Sequence, residues 1–246
     1  MNILIVGDSH TGALERGRVQ LVQEGGLPKG VSWRIAPLGM GAAMNAPFWE
    51  IVDGRARVLD RRFRQRLAKI PPVMGQTDVV GLQMPLWWGR LIRGLLEHDV
   101  LPYGYDGPGR RLSPKLWRHM IRADLRYTLG LGTFLKERGL PVFAIEPPTL
   151  RRSYRMAALL GAPTAFALLA EIRDVQLAML TDAGIPVVWM PQDATDAEGF
   201  LIDAYGHENP ADTHHANAAF GSRMLHQCVP MAQSLLGQGP RTPVAG

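Results

Sequence analysis

Residues 1–10 read Met1-Asn2-Ile3-Leu4-Ile5-Val6-Gly7-Asp8-Ser9-His10. A short apolar run ends abruptly in Gly-Asp-Ser. A run of this length, closed by turn residues, predicts a strand buried on both faces at the centre of a sheet. It also places the Ser9 hydroxyl at the strand's C-terminal end. In open α/β sheets, ligands bind at that end.

Four more apolar runs follow, at 31–36, 79–84, 142–145 and 187–190, each bounded by Gly or Pro. Helical spacings lie between them, at 11–23, 114–138, 162–183 and 217–236. Strand alternating with helix predicts a parallel sheet covered on both faces, a three-layer α/β/α domain. The 246 residues suit one such domain, spanning 1–236. Two junctions, Gly139-Leu140-Pro141 and Gly184-Ile185-Pro186, repeat a helix–Gly–apolar–Pro–strand phrase. Residues 85–113, rich in Trp, Gly, Pro and Arg, show no clear period and read as a long excursion over the strand ends. The Gly/Pro-rich tail, 237–246, reads as disordered.

Composition narrows the classes. No apolar stretch approaches the ~20 residues of a membrane helix. The N-terminal run lacks a basic leader and ends at once in Gly7, unlike a secretory signal. Cys228 is the single cysteine, so no intrachain disulfide can form. Both features predict a cytoplasmic, reducing setting. The net charge is +5, largely from arginine, in runs such as Arg61-Arg62-Phe63-Arg64-Gln65-Arg66. Such a surface attracts anions. No zinc-finger, RNA-binding or helix-turn-helix pattern accompanies it, so a nucleic-acid partner is not expected. Oligomeric state leaves no mark on the sequence.

A serine hydroxyl is a weak nucleophile that needs a base, and the base needs an orienting acid. Near the far end the chain reads Asp212-Thr213-His214-His215-Ala216-Asn217. A turn entering the last helix lets Asp212 and His215 face one point. The pattern predicts Ser9 as nucleophile, His215 as base and Asp212 as its orienting acid. His214 is the rival base, less favoured by spacing. Ser9 also reads as a simple helix cap, and Asp8 as a residue fixing the loop or the helix start. His10, His207, His214 and His215 form no recognised metal motif, and Gly7-x-x-x-x-Gly12 matches neither a dinucleotide nor a phosphate loop. Neither a metal nor a cofactor is expected.

Gly7-Asp8-Ser9 at the end of strand one, with Asp212-x-x-His215, Asn217 and Gly221 near the C-terminus, resembles the SGNH/GDSL hydrolases. The resemblance spans the chain in order. It implies a five-stranded sheet in the order 2-1-3-4-5 and a serine esterase working through an acyl-serine. It also implies an oxyanion hole built from the Ser9 N–H, a glycine after strand two and an asparagine after strand three. Gly41 matches the glycine by position, with Gly39 second. The asparagine block departs from the family: Gly-x-Asn-Asp is replaced by Gln83-Met84-Pro85-Leu86-Trp87-Trp88. By offset, Trp87 falls where asparagine is expected. Asn45, Gln83 and the Trp87 indole N–H are the alternative donors, and Asn45 is the preferred one. His10, Gln83, Trp87, Trp88 and Glu146 are candidate substrate contacts. Family habit and the tryptophans suggest a small acyl ester, such as acetyl on a carbohydrate. Acyl transfer by the same serine, or binding with little catalysis, are the other readings.

Overall fold

The computed structural model describes residues 1–105 and 109–237; of the tail expected to be disordered, 237–246, Gly237 instead ends a helix and 238–246 lie outside the described residues. In chain order the elements are β1 (Asn2–Gly7), α1 (Thr11–Gln23), β2 (Ser32–Pro37), β3 (Trp49–Val52), β4 (Arg55–Val58), α2 (Arg61–Arg64), β5 (Lys69–Ile70), β6 (Val79–Gln83) and α3 (Gly89–Glu97). There follow β7 (Val100–Pro102), β8 (Arg110–Leu112), α4 (Pro114–Glu137), β9 (Val142–Ile145), α5 (Arg155–Leu160), α6 (Ala162–Asp182), β10 (Val187–Val188) and α7 (Ala218–Gly237).

Five strands form one parallel sheet in the order β2-β1-β6-β9-β10. This is the expected order, counting only the strands of that sheet. Alternation along β1 shows why the run had to be apolar throughout. Ile3 and Ile5 pack on one face with Phe143, Phe220 and Met224. Leu4 and Val6 pack on the other with Leu82, Leu131 and Leu135. Each face is covered by helices, α1 and α7 on one side and α4 and α6 on the other, so polar residues have no solvent to turn towards.

Register places the site. Gly7 at the end of β1 lies level with Pro37 of β2 and Gln83 of β6. The three chain segments that leave these strands, at Asp8-Ser9, at Leu38–Gly41 and at Met84–Trp88, therefore emerge side by side.

α1 and α7 cross in close contact through glycines. A Cβ on Gly221 would stand 1.9 Å from the Ala13 carbonyl oxygen, and one on Gly17 would stand 2.3 Å from the Ser222 nitrogen. Backbone meets backbone there. The crossing carries the segment before α7 up to the segment before α1, which joins the two ends of the sequence at Ser9.

Three features depart from the sequence expectations. The excursion over 85–113 is built of α3 and the β7–β8 ribbon. Leu91, Ile92 and Leu95 of α3 bury against Trp117 and Ile121 of α4, a one-sided pattern too short to stand out among Trp, Gly and Arg. Residues 49–70 hold an unexpected antiparallel sheet, β3-β4-β5. Finally, β10 stops at Val188 rather than at 190, because the Met190 N–H donates to the Glu146 carboxylate at 2.7 Å instead of to a strand.

Candidate active site

Ser9 sits on the turn between β1 and α1, its side chain exposed at the sheet's C-terminal edge. Asp8 shapes that turn. Its Oδ1 accepts from the His10 N–H at 2.9 Å, and its carbonyl accepts the Thr11 hydroxyl at 2.7 Å. Asp8 is fully buried, and Oδ2 has no hydrogen-bond donor among the described residues. Burial pushes its carboxyl up to about 6, against the opposing pull of the His10 N–H and of Arg90.

Asp212 and His215 lie on the turn that enters α7. His215 Nε2 stands 2.9 Å from Ser9 Oγ. His215 Nδ1 stands 2.8 Å and 3.1 Å from the two Asp212 oxygens. The Asp212 Oδ1 also accepts the His215 backbone N–H at 3.0 Å. Partial burial opposes ionisation of Asp212, but hydrogen bonds from the His215 ring and backbone outweigh it and hold the carboxyl well below the ordinary range. An ionised Asp212 fixes the proton of His215 on Nδ1 and leaves Nε2 free to accept from Ser9.

The turn is held from outside. Arg151 donates to the Asp212 carbonyl at 2.5 Å and Arg16 of α1 to the Ala216 carbonyl at 2.7 Å. Asn217 caps α7, accepting the Phe220 N–H at 3.1 Å and donating to the Ala204 carbonyl at 2.7 Å.

Of the two histidines, His215 is the one paired to Ser9. His214 instead lines a cleft of about 290 Å³ with Ser9, His10, Gly41, Asn45 and Trp87. Burial and the neighbouring His215 lower its pKa. His10 is buried with both ring nitrogens unpartnered among the described residues. Burial and the charge on its histidine neighbours drive its pKa well down. It is a neutral wall, its ring centroid 4.1 Å from that of Trp87 and 4.9 Å from that of His215.

Gly41 opens a short 3₁₀ turn beside Ser9. Among the described residues, neither the Ser9 N–H nor the Gly41 N–H donates to a protein acceptor. Asn45 is exposed at the cleft's rim.

Three predicted contacts lie elsewhere. Gln83 is buried at the end of β6 and does not line the cleft. Trp88 and Glu146 line a separate cavity of about 700 Å³, together with Arg173 and Trp189. Glu146 is committed there, to the Met190 N–H and to Arg173 at 2.9 Å. That accounts for it as a clasp between β9 and the chain after β10.

Arg90 also shapes the site, with no signal in the sequence. It is buried, and its fork closes on Asp124 of α4 at 2.9 Å and 2.8 Å. The remaining nitrogen donates to the Gly41 carbonyl at 3.1 Å and lies 4.0 Å from Asp8. It pins the Gly41 turn against the sheet. Arg90 falls in the aperiodic stretch after β6, with no local motif to mark it.

Asp212, His214 and His215 present donor atoms within 4.8 Å of one another, a metal-sized group. Both His215 nitrogens already serve Asp212 and Ser9, so an ion there would have to dismantle that chain.

The fold is a three-layer α/β/α domain with Ser9, His215 and Asp212 gathered at the sheet's C-terminal edge. No protein-family model matches the chain, and no curated protein is detectably similar to it in sequence. Solved structures match it in fold. A GDSL-like lipase from Bacteroides thetaiotaomicron shares 10% identity, superposes with a TM-score of 0.52 and covers 95% of this chain and 88% of its own. A carbohydrate acetylesterase family member from Sinorhizobium meliloti shares 12% identity at a TM-score of 0.52, over 96% of this chain and 99% of its own. At such identities the likeness is one of fold. Among the described residues, no helix is long and apolar enough to cross a membrane.

Proposed function

We propose that this protein is a serine esterase. The observation that carries the reading is the unbroken chain Ser9 Oγ–His215 Nε2 at 2.9 Å and His215 Nδ1–Asp212 at 2.8 Å. Ser9 Oγ attacks the ester carbonyl carbon while its proton passes to His215 Nε2. The carbonyl oxygen becomes an anion facing the free N–H groups of Ser9 and Gly41. The tetrahedral centre collapses, the alcohol leaves with the proton from His215, and the acyl group stays on Ser9. Water then attacks the acyl-serine, its proton taken by His215, and the acid departs with Ser9 restored.

The cleft beside Ser9, about 290 Å³, lies at the small end of ligand sites (~300–1,000 Å³). It favours a short acyl group such as acetyl. The acetylesterase fold relative supports a carbohydrate as the alcohol half. A panel of esters varying in acyl length and alcohol, run on wild type and Ser9→Ala, tests this. Turnover that falls by roughly 10³-fold or more in Ser9→Ala is expected. Turnover that appears only with an added alcohol acceptor would make the enzyme an acyltransferase. No turnover, together with no labelling of Ser9 by an organophosphorus probe, would remove the enzymatic reading.

A further inference from the structure

We infer that the indole N–H of Trp87 is the third oxyanion donor, standing in for the missing asparagine; this rests on the esterase reading of the Ser9 cleft. Four observations lead there.

Trp87 lies four residues past Gln83, which is level with Gly7 across β1 and β6. It therefore leaves the sheet beside Ser9, and it lines the same cleft as Ser9 and Gly41.

The indole is seated by design of its surroundings. Leu86 takes a left-handed conformation, φ 66°, which turns the chain back over the strand end. Gly89 then leaves room for the ring. A Cβ there would stand 2.4 Å from Trp87 Cζ2 and 3.1 Å from Nε1. His10 packs on the indole at 4.1 Å and Trp88 at 4.9 Å. These contacts hold the side chain in this pose.

In that pose Nε1 lies beside the Gly41 turn: a methyl on the Gly41 Cα would lie 3.6 Å from it. Gly41 carries one of the free N–H groups. A carbonyl oxygen bound there comes within reach of the indole as well.

The donor is also unspent. Trp87 is only 5% exposed, yet among the described residues its Nε1 donates to nothing. Trp49 and Trp117 each find an acceptor at 3.0 Å, the Tyr127 carbonyl and Glu171. Among the described residues Trp33 Nε1 is sealed without a partner, whereas Trp87 Nε1, which also has none, opens on the cleft. An N–H held rigid at a cleft wall without a partner is a donor waiting for an acceptor. An indole has no lone pair to present in error, whereas a carboxamide has both ends. Asn45 is exposed at the rim and would have to be ordered during each turnover, at an entropic cost that a preorganised donor avoids.

The test compares three proteins with wild type on a short-chain ester that wild type hydrolyses. Trp87→Phe removes the N–H and part of the ring. Replacement of Trp87 by 3-benzothienylalanine keeps the ring shape and removes only the N–H. Asn45→Ala removes the competing donor. Loss of a single oxyanion donor lowers kcat by ~10²–10³-fold. That loss is expected for both Trp87 variants, with KM little changed and a thermal midpoint near wild type for the benzothienyl protein. Asn45→Ala should cost less. The inference is overturned if the benzothienyl variant keeps wild-type kcat, whatever Trp87→Phe does, since the loss would then be one of packing. It is equally overturned if Asn45→Ala alone reproduces the loss. Absence of Ser9-dependent turnover in wild type would fail the esterase reading itself, and that result is separable from the other two.

Discussion

Ser9 and His215 stand 206 positions apart in the sequence and 2.9 Å apart in space. What holds them is local at each end, because Asp8 ties the Ser9 turn and Asp212 ties the His215 turn. Asp212→Asn tests the second tie at the level of protons. The Asn oxygen can still accept the His215 backbone N–H, so the turn should survive. Its amide then faces His215 Nδ1 and forces the proton onto Nε2, where it cannot accept from Ser9. We expect kcat to fall by roughly 10³–10⁴-fold with the thermal midpoint within a few degrees of wild type. A fall of less than tenfold would show that Asp212 does not set the tautomer. That Ser9, Asp212 and His215 would meet was legible in the sequence from residue type and spacing. Arg90 was not: its role depends on Asp124, 34 positions away on another helix, and no local pattern announces such a pair. Glu146 was legible only as a carboxylate at a strand end. That it serves the Met190 N–H and Arg173 is a fact of packing.

Among the elements, the four long helices and the sheet strands lie within a few residues of where periodicity places them. Each is long or wholly apolar, so burial dictates its pattern. The β3–β4 hairpin was overlooked although Asp53-Gly54, both at positive φ, mark its turn; the flanking Arg and Glu side chains dilute the alternation. The most consequential packing contact is that of α1 with α7, and glycine decides it. Gly221→Ala drives a Cβ to 1.9 Å from a backbone oxygen, with no side chain able to yield. The helices must separate, and His215 moves with α7. We expect a loss of at least ~1–3 kcal/mol of stability, read by denaturant melts, together with a large drop in ester turnover. Gly94 in α3 is the contrast. A Cβ there meets nothing within 4 Å, so Gly94→Ala should raise stability by ~0.5–1 kcal/mol. Equal effects at the two positions would refute the close-approach argument.

At the scale of the whole molecule, one buried carboxyl makes global stability answer to pH. Asp8 is fully buried, and its carboxyl is raised from the ordinary 3.8 to about 6. Folding therefore favours its protonated form. The stability this provides is complete below about pH 4, where folded and unfolded chains both hold the proton. It is lost as pH rises towards 6, because the unfolded chain releases the proton first. A shift of about two pKa units corresponds to about 3 kcal/mol. Asp212 works in the opposite sense, since its carboxyl is lowered on folding. Its stabilisation is present above the ordinary carboxylate range and fades only as pH falls below it, outside the Asp8 window. Asp8→Asn isolates the first effect: the amide oxygen can still accept the His10 N–H, and Arg90 keeps its pair with Asp124. Relative to wild type, Asp8→Asn should gain ~2–3 kcal/mol between pH 4 and pH 7, measured by chemical denaturation at each pH. A difference between the two proteins that does not change with pH would show that Asp8 ionises in the folded protein as it does in water, and that burial at the end of β1 costs its charge nothing.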